Sequence, residues 1–407
     1  MIEQFKYLRR ELDFTVQHNI LEYWVNNAID VKYGGFVGQV DSQNIKNTSS
    51  NKGIVLNSRI LWTFSLAYKK LNKEIYHVLA DRVYDYISRN FFDTEHGGVF
   101  WELDYLGEAI NKKKQIYAQA FTIYALTEYY KISKSNMVLE QAKELFHLIE
   151  KYSFDQVNNG YIEAFSEDWS GLKDMRLSTK DANQEKTMNT HLHILEAYTN
   201  LYRVWPDDFL KEQQENLIRL FLEKFINKDD HFNLFFTNTW ENQSSIISYG
   251  HDIEGAWLLT EAAEIIGNGE LIKLTEEVSV RMAQKFIAEA IDHDGGIINE
   301  RDSENGHVDT EKHWWQHAEA LVGLLNAYKI SQDQNFIPPI FNIWNFIKKH
   351  LIDHKHGEWF WMAKSENASS EPLEKIGFWK CPYHNSRACF EMMDRIDALN
   401  LTQLENN

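Results

Sequence analysis

The stretch that decides the fold is "DTEHGGVFWELD", Asp93 to Asp104. It is a turn built on Asp, His and two glycines, followed by a short run in which apolar and polar residues alternate, the pattern of a hairpin. The same chemistry recurs as "YGGFVGQVD" from Tyr33, "DQVNNGYIEAFSEDW" from Asp155, "KDDHFNLFFTNTW" from Lys228, "DHDGGIINERDS" from Asp292 and "DHKHGEWFWMA" from Asp353. Their centres, near Gly34, Gly97, Gly160, His231, Gly295 and Gly357, stand 62 to 71 residues apart.

Two helix-length patterns fill the space between successive turns. "NSRILWTFSLAYKKL" from Asn57 and "YHVLADRVYDYISRNFF" from Tyr76 repeat apolar residues at steps of three and four, as do "NTHLHILEAYTNLYRV" from Asn189 and "NLIRLFLEKFI" from Asn216. A helix pair with a hairpin loop cannot bury its own apolar face, so six units in series imply one closed toroid of twelve helices. The length of 407 residues alone suggests two or three domains. No linker or compositional break divides the units, and residues 1–407 are read as one catalytic domain. An open solenoid is the alternative, but its end units usually look like caps, and here the last unit is as aromatic as the first.

The formal charge of −18 opposes nucleic acid, anionic lipid and strongly anionic substrates. With no run of eighteen apolar residues, no membrane span is expected. Two cysteines, Cys381 and Cys389, frame no disulfide scaffold, and the charged start "MIEQFKYLRRELDFTV" lacks the apolar core of a signal peptide, so a cytoplasmic protein is expected. Aromatic content is 14%, including 13 Trp; most of these rings are read as filling a wide core, and the remainder suit the C–H faces of a neutral sugar.

Each repeat places one polar or aromatic cluster at the opening of its first helix: Arg59, Tyr117, Asn189 with His193, His251 with Glu254, Trp315 with Glu319, and His384. If these helices form a parallel inner ring, all six N-terminal ends meet at one mouth, with the hairpin loops, and the scattered residues become one site. Spacing agrees locally. Asn189 and His193 are four apart, His251 and Glu254 three apart with Trp257 a further step along, and Trp315 and Glu319 four apart, so each set shares a helix face. His191 falls on the opposite side from His193 and is read as packing or surface. His313 and His317 have metal-ligand spacing, but "HWWQH" lacks the glutamate of the zinc-protease pattern and its indoles favour stacking. The Asp/Gly turns fall short of a full calcium loop. Phosphate-cradling loops, GxSxG elbows and CxxC motifs do not occur.

Four segments, "MNTHLHILEAYTNLYR", "GHDIEGAWLL", "WWQHAEALVG" and "FWKCPYHNSRACFEM", make the chain resemble the cellobiose 2-epimerase family within the N-acylglucosamine 2-epimerase superfamily. The resemblance spans nearly the whole chain, and the last segment, with Trp379 and Tyr383 ahead of His384, is similar to the disaccharide-acting branch. It implies an all-α (α/α)6 barrel, no metal or other cofactor, and exchange of cellobiose with 4-O-β-glucosylmannose at the reducing-end sugar, with lactose and mannobiose as related substrates. The roles it implies are acid/base for His251 and His384, contact with the reacting oxygens for Arg59, positioning for Tyr117, Asn189, His193 and Glu254, and sugar binding for Trp315, Glu319 and Trp379. Trp257 is grouped with the sugar-binding residues. Glu254 is expected to hydrogen-bond His251 and fix its tautomer. A small-molecule disaccharide is the expected partner, and the protein is expected to be a monomer or weak dimer.

Two other readings follow from the same residues. An inverting glycoside hydrolase would use Glu254 and Glu319 as its two carboxyls, held about 6.5–9.5 Å apart; a non-catalytic sugar-binding protein would leave the histidines idle.

Overall fold

The computed structural model describes residues 2–364 and 373–399. Residues 1, 365–372 and 400–407, which the expected single unit includes, lie outside the described residues. In chain order the helices are α1 (Ile2–Phe14) and α2 (Glu22–Asn27), joined by a π-helical turn into one rod, then α3 (Ile54–Leu71), α4 (Glu74–Asn90), α5 (Ile116–Ser133), α6 (Asn136–Tyr152) and α7 (Met188–Tyr202). They continue as α8 (Asp208–Leu220), α9 (Tyr249–Ile266), α10 (Gly269–Glu289), α11 (Trp314–Ser331), α12 (Ile337–Phe346) and α13 (Tyr383–Ala398).

Burial separates these helices into two rings. Every residue of α3 from Ile54 to Ala67 is buried, and α5, α7, α9, α11 and α13 are buried nearly all round, so this set has neighbours on every side. In α8, by contrast, Leu210, Gln213, Gln214, Leu217 and Ile218 form one inward stripe at steps of three and four. The inner helices pack in sequence α3, α5, α7, α9, α11, α13, and α13 returns to α3. The barrel is therefore an (α/α)6 toroid of six inner and six outer rods around one continuous hydrophobic cluster running from Phe5 to Ile396.

One pair is not consecutive in the chain. The last inner helix, α13, takes its outer partner from the N-terminal rod, and Arg9 seals them with a bond of 2.6 Å to Asp397.

The turns form six equivalent hairpins, each closed by a single bridge: Ile29–Phe36, Phe92–Val99, Phe154–Tyr161, Ile226–Phe232, Ile291–Ile297 and Ile352–Trp359. Residues leading into an inner helix then pair with the following repeat, as Lys52–Gly53 with Glu102–Leu103 and Lys114–Gln115 with Ala164–Phe165. This stitching continues round the ring and ends with Val40 bridged to Ile376, which joins the sixth repeat to the first. Closure at both levels rules against the open solenoid.

A Lys–Asp pair lies under every hairpin except the fourth. Asp30, Asp93, Asp155, Asp292 and Asp353 accept backbone N–H groups of their own turns, or stand beside them, and receive the ammonium groups of Lys52, Lys114, Lys186, Lys312 and Lys375, of which all but Lys312 are buried. In the fourth repeat Asn227 stands at the turn and Ile247 two residues before α9, and the buried pair is a different one: His231 Nδ1 lies 2.7 Å from Asp252 Oδ2, while Asp252 Oδ1 accepts the Phe232 N–H. A buried ion is tolerated when paired, so the lysine and the aspartate are replaced together.

Candidate active site

Five inner helices start immediately after their stitching residues, and α13 starts at Tyr383, a short loop beyond Ile376, so the N-terminal ends face the hairpin mouth. Between them lies a cavity of about 250 Å³ whose wall includes Arg59, Tyr117, Asn189, His193, His251, Glu254, Trp315, Trp379 and His384. Nine of the eleven residues expected at the site therefore share one wall. A second cavity of about 380 Å³ adjoins it, sharing Leu177, Ser178, Asp181, Asn189, His251 and Trp315.

His251 and His384 come from different repeats and meet across Trp315. The indole lies 4.9 Å from the His251 ring and 5.7 Å from the His384 ring, centroid to centroid. Gly250 makes this packing possible: a Cβ there would stand 2.5 Å from Cη2 of Trp315, closer than atoms can approach. Nδ1 of His251 is 2.8 Å from Ser248 Oγ, and burial with His193 nearby pulls its pKa down to about 3. Nδ1 of His384 is 2.7 Å from Glu319 Oε1, and burial holds this imidazole well below the ordinary range too. Both are neutral at pH 7 and able to take a proton.

Arg59 brings a guanidinium that finds no carboxylate. It donates to Tyr117 Oη at 2.8 Å, lies over the Phe121 and Tyr383 rings, and leaves Nε unpartnered although buried. Asn189 Oδ1 is likewise buried without a partner beside the cavity. Polar atoms left open in this way are positioned for groups that a ligand supplies.

Two residues expected at the sugar stand behind the wall. Trp257 is 1% exposed and donates its indole N–H to Glu319 Oε2 at 3.1 Å; Glu319, 0% exposed, spends its other oxygen on His384 and Arg387. Both support the wall from behind. The expected bond between Glu254 and His251 is also replaced: Glu254 Oε1 accepts from Arg387 Nη2 at 2.5 Å, while His251 turns to Ser248. The spacing of three put the two residues on one face, but a buried carboxylate goes to the strongest cation in reach, and that cation arrives from α13.

Sequence reasoning missed Arg387 and Glu196. Glu196 holds His193 Nδ1 at 2.9 Å, three residues along α7, a spacing that would have identified it. Arg387 had no such signal because its carboxylate partners lie on three other helices. His191 packs as expected, accepting the Tyr161 N–H and facing Thr187 O, and His317 uses its two nitrogens in the same way, which leaves neither for a metal. Glu254, Glu319 and His384 bring ligand atoms within 4.8 Å of one another, but Arg387 Nη2 already bonds both of those carboxylates, so a guanidinium occupies the place a cation would take.

The family profile described as N-acylglucosamine 2-epimerase matches residues 34–388. The chain belongs to the N-acylglucosamine 2-epimerase family. Within it the chain groups with the cellobiose 2-epimerases. It is 46% identical to the cellobiose 2-epimerase of Bacteroides fragilis, over 95% of this chain and 98% of that one. It is 40% identical to that of Dictyoglomus turgidum, over 96% and 99%. The solved cellobiose 2-epimerase of Bacillus thermoamylovorans superposes with a TM-score of 0.91 at 37% identity, covering 96% of this chain and all of that one. Among the described residues no helix is long and apolar enough to cross a membrane.

Proposed function

We propose that this protein inverts C2 of the reducing-end sugar of β-1,4-linked disaccharides, interconverting cellobiose and 4-O-β-glucosylmannose, with lactose or mannobiose as related substrates. The observation that carries this reading is the pair of neutral imidazoles, His251 and His384, opening on one cavity beside the carboxylate-free guanidinium of Arg59.

Ring opening exposes the aldehyde and makes the C2 proton acidic. One histidine removes that proton, and the electron pair moves into the C1–C2 bond while O1 becomes an oxyanion beside Arg59. A well-placed donor at such an oxygen is worth roughly 3 to 4 kcal/mol. The imidazolium passes its proton to the enediolate oxygen, where it exchanges with solvent. The second histidine then takes a proton from the enediol and delivers it to the opposite face of C2, so both imidazoles end neutral, as they began. Positioned acid/base groups of this kind contribute about 10²–10⁴-fold. No step requires a cofactor, every residue used comes from one chain, and the reading is of a cytoplasmic monomer or weak dimer. The adjoining cavity gives room for a second sugar ring.

The hydrolase reading meets a geometric obstacle. Oxygens of Glu254 and Glu319 lie within 4.8 Å of each other on one guanidinium, short of the about 6.5–9.5 Å that inversion needs, and Glu319 does not reach the cavity. Incubation with cellobiose, mannobiose, lactose, glucose and N-acetylglucosamine tests the proposal directly: the expected products are C2 epimers of the disaccharides, and release of free glucose from cellobiose would favour hydrolysis.

A further inference from the structure

Arg387 lies one helical turn beyond His384 on α13, 1% exposed and outside the cavity wall. Its Nη1 donates to Glu196 Oε1 and Tyr383 Oη, and its Nη2 to Glu254 Oε1 at 2.5 Å and Glu319 Oε1 at 2.7 Å. Two of those carboxylates continue to imidazoles on the cavity wall, Glu196 to His193 Nδ1 at 2.9 Å and Glu319 to His384 Nδ1 at 2.7 Å. One cation thus stands where two carboxylate–histidine pairs meet, with α7, α9, α11 and α13 all bonded through it.

The charges do not balance. Three carboxylates face one bonded guanidinium, and the other ionisable groups nearby are Arg59 on α3, Tyr124 on α5 and Glu391 on α13 itself. Arg59 is bonded to Tyr117 and to no carboxylate. Burial pushes Glu196, Glu254 and Glu319 upward, and Arg387 opposes that rise at each of them.

We propose that Arg387 is a positioning residue for the epimerisation, aiming Glu196 at His193 and Glu319 at His384 and limiting how many protons this cluster holds. The proposal rests on the epimerase reading above. Without the guanidinium the cluster's anionic surplus grows, the neighbouring imidazoles bind protons more readily, and fewer of them are free as bases at a given pH. A residue that merely filled space would leave the pH dependence alone.

The test compares Arg387→Met with the parent protein as full chains, measuring kcat and KM on cellobiose from about pH 3.5 to 9, at each pH where a thermal melt shows both proteins folded. The expected result is kcat lower by about 10–100-fold, KM within about threefold because Arg387 does not line the cavity, and the acid limb of the kcat profile moved up by about one pH unit. A folded variant with unchanged kcat and an unchanged acid limb overturns the proposal. If Arg387→Met does not fold, Arg387→Lys decides: lysine restores the charge as a single point and cannot fork between three carboxylates. The acid limb should then stay in place while kcat falls about tenfold, and a full parental kcat overturns the proposal. Failure of the parent protein itself to epimerise cellobiose would sink the underlying reading, whatever the variants do.

Discussion

Glu319 Oε1 stands 2.7 Å from Nδ1 of His384, joining two inner helices across 65 residues of sequence. A carboxylate on one imidazole nitrogen fixes the ring's orientation and leaves the other nitrogen for chemistry. Glu319→Gln should therefore lower kcat about 10–100-fold with little change in KM, since Glu319 is buried behind the cavity. Steady-state kinetics on cellobiose checks this, and a large rise in KM at constant kcat would return Glu319 to direct sugar contact.

Arg59 separates activity from stability. Its buried guanidinium has no carboxylate and an unpartnered Nε, so the folded protein gains little from it. Arg59→Met should cost roughly 10²–10³ in kcat while the melting temperature holds or rises. Parallel kinetics and calorimetry test the claim, and a marked fall in melting temperature would show that Arg59 serves the fold.

The fourth hairpin, which does without the Lys–Asp pair, supplies a design for the others. Lys114→Ile alone strands the buried Asp93 and should cost about 3–5 kcal/mol. Adding Asp93→Asn copies the Asn227 and Ile247 arrangement and should recover most of that loss. Denaturant unfolding of both variants is the measurement; a double variant as unstable as the single would mean that the repeats are not interchangeable at this pair.

Glu163 gives a pH signature. It accepts hydrogen bonds from Thr187 and Thr190 at 2.7 Å and from Gln115 at 2.9 Å, yet burial pushes its carboxyl up to about 7. Between pH 4.5 and 7 the unfolded chain has released this proton and the folded chain keeps it, so this group makes stability fall as pH rises through that window. Glu163→Gln does not titrate and should gain on the parent protein across the same window, by at most about 1.4 kcal/mol per unit, then hold a constant lead above pH 7. Melting curves at pH 4.5, 6 and 8 check it, and an unchanged difference at all three would remove the assignment.

What could be read from the chain depended on whether a signal was local. The six turns carry their own Asp, Asn and Gly chemistry, and the polar clusters open helices at fixed places after them, so barrel, mouth and most of the wall were legible. The Lys–Asp pairs under the hairpins span 20 to 31 residues and follow no helical period. Arg387 was less legible still, because its three carboxylates come from three other repeats. The misassigned partner of His251 has the same origin, since a helix face fixes where a side chain starts and the far side of the ring decides where it ends.

The most direct test of the central claim is turnover of cellobiose in D2O, with the product read by NMR. Two histidines that exchange protons with solvent predict deuterium at C2 of the epimer, and His384→Ala should abolish that exchange while the protein stays folded. Epimer formed without label at C2 would contradict proton removal and return by this pair.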